Sequence, residues 1–142
     1  MNEATQVVSA AIIKDGRLLL AQRGPGSHAW CWCTPGGKVN AGETHDQALQ
    51  REMFEELGSN AGIGSYSLQV FVHEGEQTTA KRIYRLTCYA VNPLLGALFI
   101  PQPSEKIIGV GYFTAEDIEN LVLAPADSAN REALCALVRA SR

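Results

Sequence analysis

The chain has 142 residues, 46% of them hydrophobic and 19% charged, with a formal net charge of -3 at pH 7. That length and balance describe one domain able to bury its own core, not a disordered or fibrous chain. The weak acidic charge excludes an electrostatic footprint for a nucleic-acid polymer.

The N-terminus, MNEATQVVSAAIIKDG, has neither the basic n-region nor the unbroken apolar stretch of a signal peptide. No apolar run is long enough to span a bilayer, so a cytoplasmic protein without a membrane partner is expected. VVSAAII (7–13) and RLLLAQ (17–22) read as strands joined at Lys14-Asp15-Gly16, where Asp-Gly suits a tight hairpin. GPGSHAWCWCTPGG is punctuated by Gly and Pro and reads as a loop. Residues 44–57 have helical character, closed by Gly58. SLQVFVHE (67–74) and RIYRLTCYAV (82–91) suit a second hairpin, and KIIGVGYF (106–113) a further strand. Thr114 is placed to cap AEDIENL, and Asp127 or Ser128 to cap a last helix through ANREALCALVRA. With no repeat and no linker, the whole of 1–142 reads as one α/β domain.

The four cysteines, Cys31, Cys33, Cys88 and Cys135, lack the paired knuckle spacing of a zinc site and are expected as free, mostly buried thiols. His28, His45 and His73 have no metal-site spacing either. Two phosphate cradles also fail. GPGSHA fits a loose dinucleotide fingerprint but opens no helix, and Gly37-Lys38 lacks both the first glycine and the hydroxyl residue of a P-loop.

REMFEELG (51–58) carries the strongest chemical signal. At about 100° per residue, Leu49, Met53 and Leu57 share one arc, and Glu52, Glu55 and Glu56 the arc beside it. Such like-charge pairs cost a few tenths of a kcal/mol each, so either the stripe is solvated or a cation sits there. Ala48 falls within the acid arc, leaving room for a ligand. Phe54 and Arg51 fall on the far side, where Phe54 is expected against a second surface of the domain. Upstream, TPGGKVNAGE turns through glycines and brings Lys38 and backbone carbonyls toward the helix start. Carboxylates and carbonyls are hard oxygen ligands suited to Mg2+ or Mn2+, which usually work together with substrate phosphates.

Gly37, five residues, Glu43, seven residues, then Arg51-Glu52-Met53-Phe54-Glu55-Glu56-Leu57-Gly58 resembles the Nudix box G-x5-E-x7-R-E-U-x-E-E-x-G-U, in which U is a bulky aliphatic residue. All seven fixed positions match. A chance match is on the order of one in 10⁸ per start site at ordinary residue frequencies. LLLAQR, W-x-x-P-G-G and GVGYFTAEDI extend the likeness over most of the chain. Two departures, Ser59 at the last aliphatic position and Asn40 where an acid is common, remove no ligand.

The resemblance implies an α/β/α sandwich with a mixed β-sheet and a loop-helix-loop catalytic motif. It implies a hydrolase that uses Mg2+, with Mn2+ as a substitute, to cleave a phosphoanhydride of a nucleoside diphosphate derivative. By match to the box, Glu52, Glu55, Glu56 and the Gly36 carbonyl are the metal ligands, with Glu52 or Glu56 as base. Arg51 orients the acids, and Glu43 pairs with Arg51 or reaches the metal through water. The segment ending VHEGEQTTAKR lacks the proline and tyrosine associated with ADP-ribose and dinucleotide hydrolases, so the chain looks most like the MutT-type branch, which converts nucleoside triphosphates to monophosphate and pyrophosphate. Hydrolysis of another nucleoside diphosphate derivative and a non-catalytic nucleotide sensor stay open as alternatives, as does a homodimer. Arg23 and Lys38 are candidate phosphate contacts. Glu105 is a candidate further carboxylate or a solvated loop acid. Asp127 is a candidate reader of a base amino group or a helix cap. Trp30, Trp32 and Tyr84 are candidates for base stacking or core packing.

Overall fold

Asp15 and Gly16 take φ of 51° and 73°, the two left-handed residues of a tight hairpin turn. They join β1 (Thr5–Lys14) to β2 (Arg17–Arg23) in the register Ile12↔Leu19, Lys14↔Arg17. The computed structural model describes residues 4–77 and 82–141. Residues 78–81, part of the VHEGEQTTAKR segment, lie outside them.

The other strands are β3 (Trp32–Cys33), β4 (Gly36–Lys38), β5 (Leu68–Gln77), β6 (Arg82–Val91) and β7 (Ile107–Phe113). They build one sheet in the order β3-β2-β1-β6-β5, with β4 on β1 and β7 on β2. β1 and β6 run parallel while the other pairs are antiparallel, so the sheet is mixed. Helix α1 (His45–Leu57) covers one face. Helices α2 (Ala115–Asn120), α3 (Pro125–Ala129) and α4 (Arg131–Ala140) follow β7, and α2 and α4 pack on the other face. β1 is buried from both sides: Val8, Ala10 and Ile12 meet α1, and Ala11 meets α2 and α4. That two-sided burial is why VVSAAII is almost continuously apolar.

Helix α1 starts by a capping box: Thr44 accepts from the Gln47 N–H, and Gln47 accepts from the Thr44 N–H. It ends at Gly58, φ 97°. Leu49, Met53 and Leu57 are fully buried. At roughly 1.5–3 kcal/mol each, their burial outweighs the few tenths lost to each like-charge pair on the neighbouring stripe. The core anchor therefore holds the acids in place despite their repulsion.

Four sequence expectations need correction. The Gly/Pro loop contains β3 and β4, which are two and three residues long and exist only through their partners β2 and β1. Ala48 is fully buried in the core and leaves no ligand space. Phe54 is 59% exposed rather than packed away against a second surface. Asp127 and Ser128 belong to the separate helix α3, while α4 begins after Asn130 with no side-chain cap.

Candidate active site

Two glycines bring the backbone flush against the acid stripe. β4 lies on β1 with Ser9↔Gly36 and Val8↔Gly37. A Cβ on Gly36 would stand 1.9 Å from the Val8 carbonyl oxygen, and one on Gly37 would stand 2.5 Å from the Glu52 carboxyl. No real Cβ tolerates either distance. The N–H of Gly36 donates to Glu56 Oε1 at 2.9 Å.

Arg51 organises the rest. Its Nε and Nη2 donate to Glu43 at 2.7 and 2.9 Å, its Nη1 to Glu52 at 2.7 Å and Glu55 at 3.2 Å, and its Nη2 also to the Lys38 carbonyl at 2.7 Å. The bidentate fork fits the planar guanidinium and no ammonium could reproduce it. The Arg51 bond and the Asn40 N–H hold the Glu43 carboxyl below its usual range, and the bond to Glu43 raises Arg51 above its own. Asn40, a departure from the family pattern, thus supports Glu43 through its backbone.

Glu52 and Glu56 move the other way. Burial raises Glu52, against the opposing Arg51 bond. Glu56 is pushed up to about 8, by burial first and then by the charge of Glu52, while the Gly36 N–H and the field of Arg23 pull it back. The carboxylates are short of positive charge. Glu105, in the 3-10 turn Pro103–Glu105, is close enough for its charge to raise both.

A divalent cation fits that deficit and that donor chemistry: carboxylate and carbonyl oxygens, with no sulfur or imidazole among the candidates. Among the described residues no three acidic, thiol or imidazole groups already converge on one point. Glu52 and Glu55 are instead drawn to Arg51.

The remaining candidates spread around this centre. Arg23 ends β2, and its Nε is buried without a hydrogen-bond partner among the described residues. Its field reaches Glu56, Cys33 and Asp127. The Lys38 side chain is exposed at the end of β4. Asp127 is 2% exposed and accepts from both the N–H and the hydroxyl of Thr34, at 3.0 and 2.7 Å. Burial raises it to about 6 against the pull of those bonds. Tyr84 feels the Asp127 charge, placing it on the same side. Trp32 packs edge-on against Phe113 at 4.9 Å, and Trp30 is 57% exposed. The His45 Nδ1 lies 2.6 Å from the Tyr89 hydroxyl. The four thiols are free, and Cys33, Cys88 and Cys135 are buried. Thr34 was not among the sequence candidates; its partner lies 93 residues away and no local signal marks it.

Comparison with known proteins covers nearly all of the chain. A family model for the NUDIX domain matches residues 4–137. The CTP pyrophosphohydrolase of Escherichia coli K12 is 38% identical over 138 residues, which are 96% of this chain and 95% of that protein. The solution structure of the E. coli ORF135 protein superposes with a TM-score of 0.76 at 33% identity, covering 99% of this chain and 94% of the other. The crystal structure of a MutT NUDIX hydrolase from Burkholderia pseudomallei does so at 0.71 and 28% identity, covering 94% and 97%.

Proposed function

This chain belongs to the Nudix hydrolase family, and on that premise we propose that it hydrolyses a nucleoside triphosphate to the monophosphate and pyrophosphate with Mg2+ as cofactor. The observation that carries the reading is the contact of the Gly36 backbone with Glu56, beneath which the remaining box acids gather around Arg51. Nudix hydrolases use a divalent metal. In this chain Glu52, Glu55, Glu56 and the Gly36 carbonyl would hold it. When bound it lowers the pKa of attacking water and offsets charge on the phosphates.

The chain's own residues supply the rest. Arg51 holds Glu52 and Glu55 through hydrogen bonds, and Glu43 fixes Arg51. Glu56 or Glu52 takes the proton of the water as its oxygen forms a bond to one of the two phosphorus atoms that flank the α–β bridging oxygen; that atom's bond to the bridging oxygen breaks, giving the monophosphate and pyrophosphate. The buried Nε of Arg23, without a hydrogen-bond partner among the described residues, is suited to a phosphate oxygen. Lys38 offers a second cation at the mouth, and Glu105 a further carboxylate beside Glu52 and Glu56. Asp127 stands among the base-side candidates with Tyr84.

The name of the E. coli relative makes CTP the first substrate to test. Pyrophosphate and phosphate release are measured on CTP, the other ribo- and deoxynucleoside triphosphates and their oxidised forms, ADP-ribose and a dinucleotide. Each is run with Mg2+, with Mn2+ and with EDTA. Pyrophosphate from a triphosphate, abolished by EDTA, is expected. Turnover that survives EDTA, or that is confined to ADP-ribose or the dinucleotide, rejects the proposal. A thermal melt gives a second check: Mg2+ raises the midpoint while sodium chloride of equal ionic strength does not.

A further inference from the structure

We infer that the face built from residues 57–68 and 92–102 joins two copies of this chain, with Leu95 of one copy seated in the hollow between Phe54, Leu98 and Ile100 of the other. The association needs neither nucleotide nor metal.

The two segments are hydrogen-bonded into one surface. Gly64 N–H donates to Asn92 O and Leu94 N–H to Gly62 O, both at 2.9 Å, around a bridge between Ile63 and Pro93. Leu98 N–H donates to Asn60 O at 3.0 Å and Ile100 N–H to Leu57 O at 2.8 Å, which ties the surface to the end of α1. Between these ties Ala97 N–H donates to Leu94 O across a tight turn, with Gly96 at φ 79°, and Leu95 stands fully exposed at its tip. Phe99 packs inward on the core, while Leu98 and Ile100 beside it point outward, 55% and 53% exposed. Where an extended segment faces water, its outward positions are ordinarily polar. Here they are large and aliphatic.

Charge is missing from the same face. The chain has 12 basic and 15 acidic residues, yet none occurs from Leu57 to His73 or from Leu86 to Ser104. Depletion of charge marks the centre of a protein interface. A nucleic acid or an anionic membrane would find no basic group to hold. Phe54, Leu98 and Ile100 wall a hollow of about 380 Å³. Glu55 is the one charged residue lining it among the described residues, and Arg51 already pairs with that carboxylate. A projecting Leu95 and a hollow on one face are self-complementary, since a twofold axis seats each leucine in the hollow of the other copy. Phe54, Leu94, Leu95, Leu98 and Ile100 leave roughly three residues' worth of apolar surface open, on the order of 500 Å². A standard interface takes about 800 Å² from each partner, a little over half of it non-polar. The face is large enough for a dimer.

Sedimentation equilibrium of the full chain, without nucleotide or metal, supplies the test. Between about 1 and about 100 μM the wild type should pass from the mass of one chain to that of two. Sodium chloride at about 0.5 M should not weaken the association, because no ion pair carries it. Leu95→Lys and Leu98→Glu alter exposed positions, so each should keep the wild-type melting midpoint in dilute solution. Each should weaken association at least about 10-fold. An equal mixture of the two variants should associate more tightly than either alone. The new ammonium of one copy then meets the new carboxylate of the other, while the second contact keeps leucine against leucine. A wild type that stays monomeric at the upper concentration overturns the proposal, and co-sedimentation with neutral phosphatidylcholine vesicles then shows whether a lipid surface takes the face instead. A dimer that both variants leave intact overturns it as well, and so does a mixture that associates no better than its components.

Discussion

The backbone N–H of Gly36 donates to Glu56 Oε1 at 2.9 Å, joining the end of the glycine loop to the buried end of the acid stripe. This one bond does not offset the burial of Glu56 and the charge of Glu52, which together push Glu56 up to about 8. A raised carboxyl stabilises the fold fully below its unfolded value of 4.5, and that contribution is lost as pH rises through 8. Asp127, raised from 3.8 to about 6, adds a loss of the same sign at lower pH. Metal-free wild type should therefore lose melting temperature from pH 6 to 9, and Glu56→Gln should flatten the upper part of that decline. An equally steep decline in the variant would show that another group titrates there.

Metal binding should follow the same window in reverse. A ligating carboxyl must give up its proton, so the rise in midpoint produced by Mg2+ should grow between pH 6.5 and 8.5. Glu56→Gln should abolish that growth and lower kcat at least about 100-fold, on the scale of losing one electrostatic group in a water-excluded site. Calorimetry at the two pH values checks the first expectation, and pyrophosphate release the second.

Arg51 spends its donors on Glu43, Glu52, Glu55 and the Lys38 carbonyl at once. Lysine keeps the charge but has no planar fork. Arg51→Lys should lower kcat about tenfold or more while KM changes little, since it misplaces carboxylates rather than removing a substrate contact. Steady-state kinetics showing only a KM change would instead put Arg51 on the substrate.

The neighbouring glycines should behave differently from each other. Gly36→Ala drives a methyl group into the Val8 carbonyl, a rigid backbone atom, and should destabilise the fold by at least about 3 kcal/mol. Gly37→Ala meets only the Glu52 carboxyl, the far end of a flexible side chain. It should fold with a near-native denaturation midpoint and lose activity because Glu52 is displaced. Urea denaturation beside a kinetic assay separates the pair.

Thiol labelling tests the burial of the cysteines. Burial pushes Cys33 up to about 12 and raises Cys88 and Cys135 as well, while Cys31 alone is partly exposed. Because the thiolate is the reactive form, native protein at pH 8 should react rapidly with a disulfide reagent at about one site and with all four of its cysteines only after unfolding. Rapid reaction at several sites in the native state would contradict the packing around Asp127 and Thr34.

What the sequence determined by itself was local in origin. The Asp-Gly turn, the capping box at Thr44, the stop at Gly58 and the separation of Leu49, Met53 and Leu57 from the glutamates follow from dihedral preference and from a period of 3.6 residues. The spacing from Gly37 through Glu43 to Arg51 carried the family, because those residues meet within one loop and one helix. Periodicity alone placed Ala48 in the acid arc, yet tertiary packing drew it into the core, and it left Phe54 exposed where a second contact was expected. β3 and β4 escaped notice because strands of two and three residues are defined by the partner that supplies their hydrogen bonds. Only the tertiary structure joined Asp127 to Thr34, Gly36 to Glu56, and the field of Arg23 to both carboxylates. Hydrogen bonds and charges act through space, and a chain that crosses its own sheet brings together residues whose separation in sequence, 93 positions for Thr34 and Asp127, leaves no periodic trace.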